Sequence, residues 1–268
     1  MRINSFVPPG ELSGNLVSLS PEEAHHLARV LRVEAGQELT LFDGEGTRAE
    51  GVVDSVTKKE VTVRITSRET VPPPPVEITL IQAVCKPDRF ELILQKATEL
   101  GVRRIQPVIT KNASLPAGKI EKMAERGEAI IRNAAQQCGT AWLPIFQSLE
   151  NQLHWGTEVF PPETKSREAD AIATATKRSG EATIGKQDVI FIGSLHPDAK
   201  PFREVFQTLE KSKIQTAALL IGPEGDFTKE EMDAAVAAGA IPVTFGNQIL
   251  RTETAAIFGL SVLAYELF

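Results

Sequence analysis

The spacing of apolar residues along this chain has two regimes, separated near residue 72. In the first, Glu38-Leu39-Thr40-Leu41-Phe42, the run from Arg48 to Val56, and Val61-Thr62-Val63-Arg64-Ile65 alternate apolar with polar side chains. That two-residue period belongs to strands with one buried face, and Asp43-Gly44 and Lys58-Lys59 supply the turns between them. Upstream, Ser20-Pro21-Glu22-Glu23 reads as a helix start, with Ser as N-cap, Pro at the first helical position and Glu closing the capping box. The helix is expected to continue through His25-His26-Leu27-Ala28-Arg29-Val30-Leu31-Arg32, with Ala24, Leu27 and Leu31 on one face. These elements predict a small, mostly β module with one helix over residues 1–71.

The run Val71-Pro72-Pro73-Pro74-Pro75-Val76 is stiff and extended and fits neither a helix nor a central strand, so it marks a boundary. Past it, Ile78 to Val84, Ile105 to Ile109, Val189-Ile190-Phe191-Ile192 and Ala217-Ala218-Leu219-Leu220-Ile221 are short apolar runs that read as buried parallel strands. Between them, Asp88 to Leu100 sets Phe90, Ile93, Leu94, Ala97 and Leu100 on one helical stripe ended by Gly101. Lys119 to Gln137 does the same with Ile120, Met123, Ile130, Ile131 and Ala134, at the cost of an internal Gly127. Such alternation predicts an α/β fold, a parallel sheet with crossover helices over residues 72–268. Residues 156–187 are polar and read as a surface excursion. The last segment, Thr254 to Leu267, has hardly a polar face. It must be covered on both sides, by its own sheet and by a second subunit, the small module or the excursion.

Composition narrows the class of function. No apolar run approaches a membrane span and no signal peptide opens the chain, which points to a cytoplasmic protein. Cys85 and Cys138 are too few and too far apart for a disulfide framework or a zinc site, and His25, His26, His154 and His196 do not cluster, so no metal is expected. The formal net charge is −6, and the first seventy residues carry eight Lys and Arg against eleven Asp and Glu. A generic basic nucleic-acid binder is therefore excluded, and any RNA contact must come from a local patch.

Candidate chemistry gathers in two glycine-bearing turns, Gly222-Pro223-Glu224-Gly225-Asp226-Phe227 and Gly246-Asn247-Gln248-Ile249-Leu250-Arg251-Thr252-Glu253-Thr254. The first follows the strand ending at Ile221 and precedes Thr228-Lys229-Glu230-Glu231, a second capping box. Ligands of open α/β sheets collect at such strand ends. Neither turn carries a phosphate-loop pattern, and Glu224 and Asp226 would repel a pyrophosphate while favouring a positive centre such as a sulfonium. The alternative is that these carboxylates simply complement a helix dipole. Ser194-Leu195-His196-Pro197 is a third candidate wall.

Gly-Pro-Glu-Gly at 222–225 followed by Ile249-Leu250-Arg251-Thr252-Glu253-Thr254-Ala255 resembles the cofactor loops of knotted SPOUT methyltransferases, and more narrowly the RsmE family, which methylates N3 of a uridine in 16S ribosomal RNA. His25 to Glu34, Lys86-Pro87-Asp88-Arg89 leading to Gln95-Lys96-Ala97-Thr98-Glu99-Leu100-Gly101, and Ala134-Ala135-Gln136-Gln137-Cys138-Gly139 agree. The resemblance implies a PUA-like RNA-binding domain over 1–71 and, over 72–268, a domain with a deep trefoil knot that dimerises. It implies S-adenosyl-L-methionine held by Ser194, Leu195, Ile221, Gly222, Pro223, Glu224, Gly225, Phe245, Gly246, Ile249, Leu250, Arg251, Thr254 and Ala255, with 16S ribosomal RNA in the small ribosomal subunit as substrate. Arg251 and Glu253 are the candidates for catalysis, and His25, Arg29, Arg32, Lys58 and Arg64 for RNA contact. Asp226 stands where the family usually has Gly, Gln248 where Arg is common, and Asn112-Ala113-Ser114 where Arg-Ser is often found. Methylation at another RNA position, or an RNA-binding assembly factor without activity, would share the same fold.

Overall fold

The alternating runs form strands whose apolar faces close on one another. The computed structural model describes residues 3–57, 60–113, 117–147, 187–196 and 198–268; Lys58, the side chain of Ile120 and nearly all of the 156–187 excursion lie outside them. β1 (Asn4–Phe6), β2 (Leu16–Ser18), β3 (Glu38–Phe42), β4 (Thr47–Val56) and β5 (Val61–Thr70) make a five-stranded sheet in the order β1-β3-β4-β5-β2. Leu39 and Leu41 of β3, Ala49 and Val53 of β4, and Val61 and Val63 of β5 share one buried cluster with Val17, Ala24 and Leu27.

Helix α1 (Pro21–His25) starts at the expected cap, with the Glu23 amide donating to Ser20 Oγ, but Glu23 does not close the capping box, because its buried carboxylate accepts from Ser5 and Gln136 instead. Its regular continuation does not occur. His26–Leu31 forms a wider π-helical turn, ended by Arg32 in the left-handed region at φ 54° and by the Val33 amide donating to the Leu27 carbonyl. The wider turn rotates later residues about the axis relative to a 3.6-residue helix. Ala24 and Leu27 are buried as expected, whereas Leu31 is 43% exposed and Val33 enters the core in its place.

The second sheet contains β6 (Glu77–Ala83), β7 (Arg104–Val108), β8 (Ile145–Phe146), β9 (Val189–Gly193), β10 (Lys200–Pro201), β11 (Thr216–Ile221) and β12 (Ala240–Thr244). Their order is β10-β12-β9-β11-β6-β7-β8 and each pairing is parallel. β11 inserts between β6 and β9, so the strand order reverses at the centre of the sheet, the place where α/β ligand sites form. Five helices pack on it: α2 (Pro87–Glu99), α3 (Ala117–Cys138), α4 (Phe202–Thr208), α5 (Lys229–Ala237) and α6 (Thr252–Leu267). Among the described residues, α5 covers Ile81, Ile192 and Leu220 on one face, and the other four cover Leu80, Phe191 and Leu219 on the opposite face. Burial on both faces is why these strands read as continuous apolar runs.

Helix α6 begins two residues earlier than its apolar pattern suggests, with Arg251 as N-cap, so Glu253 lies inside its first turn. Gly259 permits a close approach to β11, since a Cβ there would stand 2.7 Å from Leu219 Cδ2. Gly127 has a comparable role in α3: a Cβ would stand 2.3 Å from Phe146 Cε1, so packing on β8 offsets its helix cost.

Several contacts join the two domains, among them those of Glu23 and Trp142. Glu23, only 6% exposed, accepts from Ser5 Oγ at 2.6 Å and from Gln136 Nε2 of α3 at 2.9 and 2.7 Å. Trp142 Nε1 donates to the Val71 and Pro72 carbonyls at 3.1 Å, and its ring lies under the Arg103 guanidinium and against Gly46. Gly46 has φ 98°, and a Cβ there would stand 2.4 Å from Trp142 Cζ2. Gly46→Ala is therefore expected to lower the unfolding free energy by about 2–4 kcal/mol, read from the urea midpoint at an unchanged denaturant slope.

Candidate active site

Three loops leaving the C-terminal ends of β9, β11 and β12 enclose a cavity of about 330 Å³. Ser194 and Leu195 line it from the first loop, Ile221, Gly222, Pro223 and Glu224 from the second, and Phe245, Ile249, Leu250, Arg251 and Ala255 from the third and the start of α6. Of the residues expected at the cofactor, Gly225, Gly246 and Thr254 stand outside the lining, and so does Glu253. Gly246, at φ 127°, serves the backbone turn, and Thr254 is exposed on α6. Asp226, Gln248 and Thr252 of the two glycine-bearing turns also line the cavity, as does Arg89, which the sequence alone does not place there.

The loops are held by side chains from distant strands. Thr252 Oγ1 donates to the Gly222 carbonyl at 2.7 Å and accepts from Gln82 Nε2 at 3.2 Å, and both residues are buried. Asn112 Nδ2 donates to the Gly225 and Asp226 carbonyls at 2.9 and 3.0 Å. Asp226 occupies the left-handed region at φ 59°, which suits the glycine usual in the resembling motif, and its Oδ1 accepts the Phe227 amide at 2.8 Å. Two of the departures from the motif, Asn112 and Asp226, are thus in direct contact. The capping box is complete at Thr228 and Glu231, and Glu231 Oε1 also takes the Lys111 amide at 2.9 Å.

The charge argument made from sequence needs correction. Glu224 and Asp226 are not free carboxylates at the start of α5, because Glu230 and Glu231 occupy its first turn and Asp226 is engaged locally. Glu224 Oε1 instead faces Arg89 Nη1 at 3.4 Å, and Arg89 Nε lies 3.8 Å from Glu253 Oε1. Glu253 therefore pairs with Arg89 and not with Arg251, as expected for residues two apart at a helix start, whose side chains do not face each other. Glu253 Oε2 is buried without a partner among the described residues. Next to this cluster, burial, together with Glu224 and Glu253 and against Arg89, raises the Cys85 thiol from 9.0 to about 12.

The candidate RNA contacts are distributed as follows. His25, Arg29 and Arg32 are exposed on α1 and the π-helical turn, beside the exposed Val30 and Leu31. Arg64 is ion-paired with Asp54 across β4 and β5, and Lys58 lies outside the described residues. Among the described residues no cluster could hold a metal ion and no helix is long and apolar enough to cross a membrane.

Comparison with known proteins decides the class. A family described as RNA methyltransferase domain matches residues 72–264, and an RNA methyltransferase PUA domain matches residues 19–66. The chain belongs to the RNA methyltransferase family. A solved Legionella pneumophila protein, in complex with the bound cofactor SAM, is 34% identical with a TM-score of 0.77, covering 99% of this chain and 98% of that one. The ribosomal RNA small subunit methyltransferase E of Neisseria gonorrhoeae, bound to S-adenosyl methionine, is 25% identical with the same TM-score of 0.77, over 99% and 98% of the two chains. A Mycobacterium bovis relative of that name is 27% identical over 94% of this chain and 87% of its own. The resemblance to the RsmE family read from the motifs is borne out, as is the α/β parallel-sheet domain with its PUA-like companion.

Because folding raises the Cys85 thiol to about 12, its contribution to stability is complete below 9.0 and is lost as pH rises toward about 12. The stability advantage of the parent over Cys85→Ala is expected to shrink by about 2 kcal/mol between about pH 8 and pH 10.5, measured by denaturant unfolding at both values.

Proposed function

We propose that this chain transfers the methyl group of S-adenosylmethionine to N3 of a uridine in small-subunit (16S) ribosomal RNA. The cavity at the ends of β9, β11 and β12 carries this reading, because its walls are built from the motif residues that resemble the family's cofactor loops. Its size falls in the range of small-molecule sites, about 300–1,000 Å³. Leu195, Ile221, Phe245 and Leu250 give it apolar walls for a purine. The carboxylates of the second loop face Arg89 (Glu224) and the Phe227 amide (Asp226), and the lining holds no lysine, so it presents no phosphate cradle of the lysine-bearing type.

When bound, the cofactor supplies an electrophilic methyl on a sulfonium: the new N3–C bond forms as the C–S bond breaks, and the electron pair stays on sulfur as a neutral thioether. The chain's residues must hold the acceptor in line and manage the N3 proton. Arg251 at the N-cap of α6 stabilises negative charge spread over the uracil carbonyls, and Glu253 in the first turn takes the proton. The exposed His25, Arg29 and Arg32 of the PUA-like module hold RNA phosphates, giving binding that weakens with salt. Residues 1–71 and 72–268 act as the two domains, the loop 245–255 belongs to a trefoil knot, and the protein works in the cytoplasm. The knot is an exception to the general rule against threaded chains.

Helix α6 supports a homodimer. Opposite its buried Ala256, Leu260, Leu263 and Leu267, it exposes Thr254, Phe258, Ser261, Tyr265 and Phe268 along one stripe, with Phe258 42% and Tyr265 87% exposed. Three exposed aromatic rings on one stripe, Phe258, Tyr265 and Phe268, are a surface that an assembly covers. Phe258→Glu combined with Tyr265→Glu is expected to convert a dimer to a monomer, measured by light scattering.

The activity is tested by incubating the protein with labelled cofactor and unmethylated small subunits and identifying the modified nucleoside by mass spectrometry, with N3-methyluridine expected. Arg251→Ala and Glu253→Gln should each lower turnover more than about tenfold with cofactor affinity intact; smaller losses in both would remove them from the chemistry.

A further inference from the structure

Arg89 joins two walls of the cavity that come from distant parts of the chain. It stands in the first turn of α2, lines the cavity, and faces Glu224 of the loop after β11 and Glu253 of α6. Its side chain is 21% exposed, against 27% for Glu224 and 14% for Glu253. Arg251, the other cation of the lining, is exposed and makes no ion pair among the described residues. A charge held in a half-buried, low-dielectric setting acts on a neighbouring charge several times more strongly than one in water. A cation fixed before the reaction also needs no reorganisation during it.

The two carboxylates fix Arg89 by its Nη1 and Nε atoms, and Nη2 makes no hydrogen bond among the described residues. At 3.4 and 3.8 Å both contacts are looser than a tight charge-assisted pair, as catalytic contacts often are before a ligand is seated. The buried, unpartnered Oε2 of Glu253 leaves room for the arginine fork to close on that carboxylate. A purely structural clamp would be redundant here, because Thr252 and Asn112 already hold the second loop through its backbone carbonyls.

We propose that Arg89 is a catalytic residue for methyl transfer, a half-buried cation held in place by Glu224 and Glu253 that stabilises the negative charge on the acceptor base as N3 loses its proton. Arg89 exchanges no proton in the step; the N3 proton leaves to Glu253, and the N3 lone pair forms the bond to the methyl carbon. Glu224 and Glu253 act on this charge through Arg89. The inference rests on the methyltransferase reading given above.

The test is a double-mutant cycle of Arg89→Met and Glu253→Gln, with turnover, cofactor affinity by calorimetry and product nucleoside measured for each. Arg89→Met is expected to lower kcat about 50-fold or more while cofactor affinity stays within about threefold, and the double variant should be little worse than the worse single one. Arg89→Lys keeps the charge but cannot bridge both carboxylates, so it should recover part of the loss; it also serves as the folded control if Arg89→Met is unstable. A kcat within about threefold of the parent for either Arg89 variant, a loss confined to cofactor affinity, or losses that simply multiply would overturn the proposal. Absence of any methylated nucleoside from the parent chain overturns the methyltransferase reading and this inference together, whereas methylation by the parent with multiplying losses overturns this inference alone.

Discussion

The hydroxyl of Thr252 sits where three separate pieces of chain meet. Its donation to Gly222 and its acceptance from Gln82 connect the start of α6 to the end of β11 and the end of β6, all within the buried interior. A hydroxyl has one donor and two acceptor positions, so this single side chain satisfies a loop carbonyl and a buried carboxamide together. Without it, the Gly222 carbonyl and the Gln82 amide would each lose a partner in a region closed to water, where an unmade bond costs about 1–3 kcal/mol. The cavity depends on this junction, because two of its three walls are the segments that Thr252 ties. Phe245 reaches the same wall from the end of β12, stacked between Phe202 and Phe258 at ring separations of 5.6 Å.

Charge inside this frame is arranged by pairing. Arg89 faces both Glu224 and Glu253, and the thiol of Cys85 is raised to about 12 by its burial and, after that, by these two carboxylates against Arg89. Partly buried carboxylates are tolerable only with a cation near them, since an unpaired buried charge costs several kcal/mol. The cavity thus presents less free negative charge than its sequence suggests. Its selectivity for a ligand follows from shape and apolar walls, with charge concentrated where Arg89 and Arg251 meet the lining.

Much of the fold was legible because it is local. The helix starts at Ser20 and Thr228 need only four consecutive residues: the box at Thr228 forms whole, and at Ser20 the side-chain cap forms while the Glu23 carboxylate is taken by Ser5 and Gln136. The parallel strands announce themselves by burial on both faces, and the stripe of α2 by its helical period. What failed was decided by tertiary contact. The turn after α1 widens to bring Val33 into the core and expels Leu31. β1 and β2 have three residues each, too few to display any period. In the site, the lining from the three loops was readable as motif, but the partner of Glu224 lies 135 residues away, and no local pattern encodes a pairing of that range. Arg89 was visible within Lys86-Pro87-Asp88-Arg89 only as part of a helix start, and its contact with the cavity depends on β6 and β11 being neighbours.

The second loop shows how a departure from a family motif can be absorbed. A non-glycine residue in the left-handed region costs about 1–2 kcal/mol, less for Asp and Asn, whose side chains can bond locally. Asp226 uses that allowance by capping the Phe227 amide, and Asn112 adds two hydrogen bonds to the carbonyls of Gly225 and Asp226. At about 0.5–1.5 kcal/mol each, such bonds are enough to balance the backbone cost. The exchange has a structural consequence. A glycine turn keeps its shape by itself, whereas this one is held by the segment following β7, which also gives the Lys111 amide to Glu231 at the start of α5. The geometry of the cavity rim is therefore set jointly by the ends of β7 and β11. A substitution at Asn112 should accordingly be felt at the cofactor loop even though Asn112 does not line the cavity.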